Sequence, residues 1–284
     1  MEDFVSTESR DEFEMKDFDK EVFFRDFWRK KPLYIHGGAA SFAGRKWSGA
    51  NFDAALGRAR GAGHHVQDRA GQVTFIEKVS LFNDDLTRRT KDFADLFGVP
   101  ETWFDTVRTH APDGIGAHFD HSDNFVLQQE GTKLWSLASP ENISRAEIAQ
   151  RMMNVPGIGS HELPLDPPVQ FTLEPGDLLY IPLLWLHSGV STGPSLSLSL
   201  VCPAIPLYTA VMPFVEHIAK NRALGYQPIP AFHRYMSEEE RTVASEKLRA
   251  ATDAFLSRLV GQDLREALST SQREHLIGTR HPVD

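Results

Sequence analysis

The hydrophobic pattern divides the 284-residue chain into three stretches. Residues 1–16 are charged and show no period, which predicts a flexible arm. From Asp19, an N-cap candidate, the apolar positions Val22, Phe23, Phe27 and Trp28 recur at helical spacing. Arg29, Lys30 and Lys31 suit the C-terminal end of that helix dipole before Pro32 stops it. Leu33-Tyr34-Ile35 predicts a short strand. Ser48 then caps a second helix through Phe52, Ala55 and Leu56, closed by the glycines of GRARGAG. A hairpin is expected from His64–Asp68 and Val73–Glu77 around Ala70-Gly71-Gln72, and a brief helix over Lys91–Phe97, ended by Gly98 and Pro100.

From Trp103 to Pro203 the pattern shortens to alternating or apolar runs. Turn signals separate them at Asp113-Gly114, Glu130-Gly131 and Glu174-Pro175-Gly176-Asp177. This spacing predicts a β-sandwich or barrel-like jelly roll, interrupted by a helix over about Asn142–Met153 and a Gly/Pro-rich loop up to Pro168. Ser195-Leu196-Ser197-Leu198-Ser199-Leu200 alternates strictly. With the leucines turned to a core between sheets, the serines face solvent or a cavity. Beyond Pro206 the text becomes helical: Tyr208–Leu224 despite Pro213, then a helix opened by the capping box Ser237 to Glu240 with Val243, Leu248, Phe255 and Leu259 on one side, and a shorter one over Asp263–Leu268. Such an appendage must bury its apolar face on the β domain or on a second subunit.

Composition narrows the function classes. At 41% hydrophobic the chain has the means for one large domain with a small appendage. A net charge of −9 and a pI near 5.7 supply no electrostatic footprint for nucleic acid, so no nucleic-acid partner is expected. Cys202, the single cysteine, rules out an internal disulfide and a cysteine zinc cluster. The opening residues lack a signal-peptide pattern and no apolar run is long enough to span a bilayer; the expectation is a cytoplasmic protein with no membrane partner.

Candidate chemistry concentrates in GIGAHFDHSDNFVLQQEGTKLWSLASP (Gly114 to Pro140) and YIPLLWLHSGVS (Tyr180 to Ser191). His118 and Asp120 stand two apart in a segment that reads as extended, where alternation sends both side chains the same way. His187, after an apolar strand and a turn, completes a two-His-one-carboxylate set. That donor set suits non-heme Fe(II) with open positions. The competing readings are a turn role for Asp120, a core histidine beneath Trp185, and a shifted pair, His121 and Asp123, with different facing. Lys133 is a lone cation in the largely apolar strand EGTKLWSLAS; its ammonium either reaches solvent at an edge or meets an anion, such as the distal carboxylate of a 2-oxoacid. Asn124 is either a polar strand residue or a hydrogen-bond partner beside the metal.

Three passages, FFRDFWRKKPLYIHGG, HFDHSDNFVLQQEGTKLW and LLYIPLLWLHSGVS, together resemble the JmjC-type, cupin-fold Fe(II)/2-oxoglutarate oxygenases. The likeness is to the small hydroxylase branch that holds the asparaginyl hydroxylases and the bacterial ribosomal-protein arginine hydroxylases. The resemblance implies a mainly β protein: a double-stranded β-helix core within residues 17–206, an N-terminal α/β surround, and a helical dimerisation region over 207–284. It implies His118, Asp120 and His187 as iron ligands, Lys133 on the 2-oxoglutarate tail, Asn124 near the cosubstrate, and Ser197, among the serines of the last core strand, lining the pocket. Fe(II), 2-oxoglutarate and O2 are the implied cofactors. The implied reaction is hydroxylation of an unactivated C–H bond of an amino-acid side chain, free, in a natural product or in a protein. A non-catalytic cupin-fold binding protein, a Zn or Mn cupin enzyme and a lysine demethylase are the alternatives. Two features depart from the family: no tyrosine matches the second contact to the cosubstrate tail, and roughly eighty residues after Pro203 leave no room for a winged-helix domain.

Overall fold

The computed structural model describes residues 15, 17–69, 71–153, 159–164, 169–204, 230 and 232–259. Apart from Met15, the expected N-terminal arm lies outside these residues, as do the helices expected over Tyr208–Leu224 and Asp263–Leu268. Two compact units divide at Ala204/Ile205.

The first unit is built on two antiparallel sheets. The larger runs in the order β1 (Leu33–Ile35), β8 (Leu178–Ile181), β5 (Ser122–Glu130), β10 (Ser195–Pro203), β4 (Trp103–Thr109), β3 (Val73–Ile76) and β2 (Val66–Arg69). The smaller holds β7 (Val169–Leu173), β6 (Lys133–Ala138) and β9 (Leu186–Ser191). The mainly β, jelly-roll expectation is met. Helices cover the outer face of the large sheet: α1 (Lys20–Val22), α2 (Ala39–Ala43), α3 (Gly49–Gly61) and α4 (Asp84–Phe97), while α5 (Arg145–Met152) is the helix of the insertion.

The large sheet is apolar on its outer face. Phe104, Phe125, Leu127, Leu178, Tyr180, Leu196, Leu198 and Leu200 pack with Phe23, Phe42, Phe52, Phe93 and Phe97 of the helical layer. The leucines of β10 therefore lie beneath helices and not between the sheets, a choice that the alternation alone leaves open. Its serine face looks into the barrel. A second cluster, Val126, Trp135, Leu137, Phe171, Leu173, Leu179 and Ile181, packs between the sheets.

Local signals account for most helix ends. Ser48 and Asn51 form a reciprocal capping box on α3. Asn83 caps α4 through the Asp85 and Leu86 amides, and Gly98 closes it in the left-handed conformation. That helix starts earlier than Lys91 because its first half, DDLTRRT, offers only Leu86 as an apolar marker. The first helix is also corrected. Asp19 caps it as expected, but after Val22 it widens into a π-turn over Phe23–Phe27. Arg29 then turns at φ 56°, with its amide donating to the Tyr180 hydroxyl at 2.8 Å. In the second unit, α6 (Glu238–Leu259) opens on the expected capping box: the Ser237 amide donates to Glu240 Oε2 at 2.7 Å and the Glu240 amide to Ser237 Oγ at 3.1 Å.

Candidate metal centre and cosubstrate pocket

His118 does not lie on a regular strand. It forms isolated antiparallel bridges with His187 and Ser160, ahead of β5. The bridge to His187 carries both backbone hydrogen bonds, His118 N–H to His187 O at 3.0 Å and the reverse at 2.8 Å. Directly opposed residues of such a pair project their side chains to one side. The two imidazoles consequently stand with ring centroids 4.3 Å apart. On the separate bridge to Val190, Gly114 lets the two backbones meet, since a Cβ there would sit 2.2 Å from the Gly189 carbonyl oxygen.

Each imidazole is oriented by its other nitrogen. His118 Nδ1 lies 3.0 Å from the Gly116 carbonyl and His187 Nδ1 2.8 Å from the Trp185 carbonyl. A carbonyl only accepts, so Nδ1 carries the proton and the Nε2 lone pair is left for a ligand. Both Nε2 atoms face Asp120 Oδ2, at 3.8 and 3.7 Å. The three donor atoms lie within 4.8 Å of one another and form the metal-capable cluster found among the described residues. Burial lowers the His187 pKa to about 4, helped by His118 and opposed by Asp120, so the ring is a neutral donor near pH 7. Burial pushes the Asp120 carboxyl up, but the electrostatic pull of its neighbours His118, His187 and Arg151 outweighs it and holds the group below its ordinary value, ionised. A neutral His187 imidazole and an ionised Asp120 carboxylate are protonation states that a divalent cation needs.

Asp120 is held at both oxygens. Asn124 Nδ2 donates to Oδ2 at 3.1 Å, so the asparagine touches the carboxylate of the metal-capable cluster. Arg151 of α5 places its guanidinium 2.5 Å from Oδ1 and donates Nε–H to the Phe119 carbonyl at 3.1 Å. Arg151 was not foreseen. It sits in the insertion, thirty-one positions from its partner, and nothing in the local text marks it. The shifted pair is set aside by facing: Asp123 is fully buried on the opposite face of β5, where it accepts from Tyr180 OH at 2.7 Å, Arg29 Nε at 2.9 Å and the Leu183 amide at 3.1 Å.

The triad opens on a cavity of about 600 Å³, lined also by Asn124, Lys133, Trp135, Ser197 and Ser199. Lys133 is 3% exposed, and its Nζ lies 5.5 Å from the Trp135 ring centroid. No carboxylate among the described residues pairs with it. Burial lowers its pKa to about 8, leaving it mostly charged at neutral pH. Of the three candidate serines, Ser197 and Ser199 line the cavity, whereas Ser195 is engaged by the Thr109 and Ser191 hydroxyls at 2.6 Å.

Comparison with known proteins agrees with this geometry. Residues 88–208 match the JmjC domain family. The chain is 33% identical over 120 residues to tRNA wybutosine-synthesizing protein 5 of Danio rerio, covering 38% of this chain and 37% of that protein. It is 26% identical over 199 residues to ribosomal oxygenase 2 of Rattus norvegicus, covering 60% and 41%. It thus spans less than half the length of these curated relatives. Two solved structures of Escherichia coli YcfD share the fold. One has a TM-score of 0.56 at 15% identity, over 87% of this chain and 69% of that one. The other, a complex with cobalt and 2-oxoglutarate, has a TM-score of 0.55 at 16% identity, over 94% and 73%. Residues 88–208 thus match the JmjC domain, within a chain that has the jelly-roll fold of these structures.

Proposed function

We propose that the protein is an Fe(II)- and 2-oxoglutarate-dependent oxygenase that hydroxylates an unactivated C–H bond, with His118, Asp120 and His187 as the metal ligands. One observation carries the reading: two Nε2 atoms and a carboxylate converge at the wall of a cavity that also receives a buried ammonium with no anionic partner among the described residues. A protein that bound metal alone would have no need of that ammonium, and one that bound a small acid alone would have no need of the triad.

When bound, Fe(II) supplies the oxidising chemistry that couples 2-oxoglutarate decarboxylation to hydroxylation. The protein's part is positional. Lys133 holds the distal carboxylate of 2-oxoglutarate, a charge-assisted contact in a site shielded from water. Ser197 adds a hydroxyl on the large-sheet wall. Asn124 and Arg151 keep Asp120 turned to the triad, and Trp135, Val126 and Ile181 supply an apolar lining that keeps water and stray side chains from the reacting centre.

The substrate is read as an amino-acid side chain, free or within a peptide or protein. The unit after residue 206 is read as a dimerising segment of a cytoplasmic protein; the exposure of Phe232, Tyr235 and Val243 supports the dimer, which light scattering of the full chain would test. For the activity, the protein is incubated with Fe(II), 2-oxoglutarate and O2, and succinate is measured. Succinate is expected to form slowly without substrate and to vanish with His118→Ala or a chelator. Succinate formation that ignores both would overturn the proposal.

A further inference from the structure

The segments that carry the three donors share an apolar backing. Alternation turns the neighbours of the donors away from the cavity: Phe119, between His118 and Asp120, and Leu186, before His187, are 1% and 4% exposed. Both lie outside the core under the helical layer and the core between the sheets. They meet Ala138 and Ile143 in a separate cluster, and Ile148 of α5 and Leu163 pack against it. Ile143, Ile148 and Leu163 all come from the insertion between β6 and β7.

The insertion also reaches their backbone. His118 bridges to Ser160 on one side and to His187 on the other, so residues 159–161 extend the ladder of the triad by one short strand. The Phe119 amide donates to the Gly159 carbonyl at 2.8 Å, and the His161 amide to the Ala117 carbonyl at 3.3 Å. At Gly159, with φ 115°, a Cβ would stand 3.0 Å from both Arg151 Nε and the Phe119 oxygen, so a side chain there would push the two segments apart. Arg151, from α5, grips the Phe119 carbonyl and Asp120 Oδ1. Hydrogen bonds, side-chain packing and an ion pair thus fasten the insertion to the short segment that holds two of the donors. The three donor atoms stay within 4.8 Å of one another only while that segment and β9 keep their places. An element that holds a site together is in turn held, by the same factor, by whatever binds the site.

Resting on the metal-centre reading of the triad, we propose that docking of the insertion and binding of a divalent cation are one linked equilibrium. Ile148 and Leu163 are its positioning residues: neither lines the cavity, and each acts through Phe119 and Leu186. The cation holds the insertion down, and loosening the insertion loosens the cation.

Two measurements on the full chain test this. Hydrogen exchange is read by mass spectrometry with and without Mn(II) at about a hundredfold excess over its Kd, where mass action sets a ceiling of about a hundredfold slowing. Peptides covering residues 145–152 and 159–164 are expected to slow about tenfold or more, and by more than α3 does. Mn(II) titration followed by electron paramagnetic resonance reads the reverse direction. Ile148→Ala is expected to weaken binding about fivefold or more, and Ile148→Leu to keep most of the wild-type affinity. Leu56→Ala, an equal truncation against the core under the helical layer, is expected to leave the affinity unchanged. Leu163→Ala takes the place of Ile148→Ala if that variant does not fold. Exchange in the insertion that responds to Mn(II) no more than α3, a truncation in the insertion that binds Mn(II) as tightly as wild type, or an equal loss in Leu56→Ala overturns the linkage. If the wild-type chain binds no Mn(II), it is the oxygenase reading that fails, and exchange of the metal-free chain decides the rest. Ile148→Ala should then speed exchange over residues 117–120 and 186–191 about threefold or more where Leu56→Ala does not, and the lack of that difference overturns the support of the donors by the insertion.

Discussion

Replacing Lys133 with methionine should make the protein more stable and less able to bind its cosubstrate. Burial draws the pKa from 10.5 to about 8. Below pH 8 the ammonium is charged in both folded and unfolded chains, and the fall corresponds to roughly 3 kcal/mol of destabilisation of the fold. The Trp135 ring, 5.5 Å away, returns about 1 kcal/mol. Lys133→Met has nearly the same length and removes the charge, so a net gain of about 2 kcal/mol is expected at pH 7, a rise in Tm of roughly 4–8 °C for a unit of this size. The penalty is fully present below about pH 8 and fades as pH rises toward 10.5; the gap between variant and wild type should close over that window. Binding moves the other way. Losing a buried charge contact costs about 2 kcal/mol or more, so 2-oxoglutarate should bind at least thirtyfold more weakly. Wild-type affinity should hold steady below about pH 8 and fall above it as the ammonium loses its proton. Differential scanning calorimetry of the metal-free protein and calorimetric titration of the Mn(II)-loaded protein measure both arms. An unchanged or lower Tm together with an unchanged 2-oxoglutarate affinity would refute the argument.

Arg151→Met should weaken Mn(II) binding about tenfold or more, because the Asp120 oxygen it holds is left free to rotate; Arg151→Lys should recover part of the loss, and metal titration followed by electron paramagnetic resonance reads both. Gly114→Ala should destabilise by about 3 kcal/mol in urea unfolding, since the added Cβ meets a backbone oxygen at 2.2 Å that has no rotamer to retreat into. His187→Ala should abolish high-affinity Mn(II) binding in the same titration while leaving far-UV circular dichroism unchanged, because one of the three donor atoms is removed from a site whose backbone bridge remains.

The parts legible in the sequence are those governed by neighbours in the chain. The alternation of β10, the capping boxes at Ser48 and Ser237, and the spacing of His118, Asp120 and His187 each follow from local periodicity or side-chain chemistry. What was not legible depends on distant packing. The extended reading of His118–Asp120 put both side chains on one side, but the alignment comes from a two-residue bridge to His187. The π-turn over Phe23–Phe27 answers to Phe97, Phe125 and Tyr180 crowding the Phe23 ring, all far along the chain. Arg151 carried no motif; it acquires meaning only from the carboxylate it meets after folding.

The two faces of β5 explain why the ligand geometry is so firmly set. On the outer face Asp123 collects the Arg29 guanidinium, the Tyr180 hydroxyl and the Leu183 amide. The last of these anchors the turn between β8 and β9, where Leu184, at φ 66°, donates its amide to the Asp120 carbonyl and Trp185 offers its carbonyl to His187. On the inner face, one residue along, Asn124 holds the Asp120 carboxylate. A single strand thus fixes the carboxylate ligand from inside the barrel and the distal histidine through a turn pinned from outside. Burial protects Asp123: it is fully enclosed, so burial raises its pKa and only its three donors make the ionised form tolerable there. Left-handed backbone at a leucine is unfavourable by about 1–2 kcal/mol, and the turn keeps it because the hydrogen bonds on both sides leave no other course for the chain between Ile181 and His187. The strain is therefore located where it orients His187 of the candidate metal centre, and the apolar layer beneath the sheet is what sustains it.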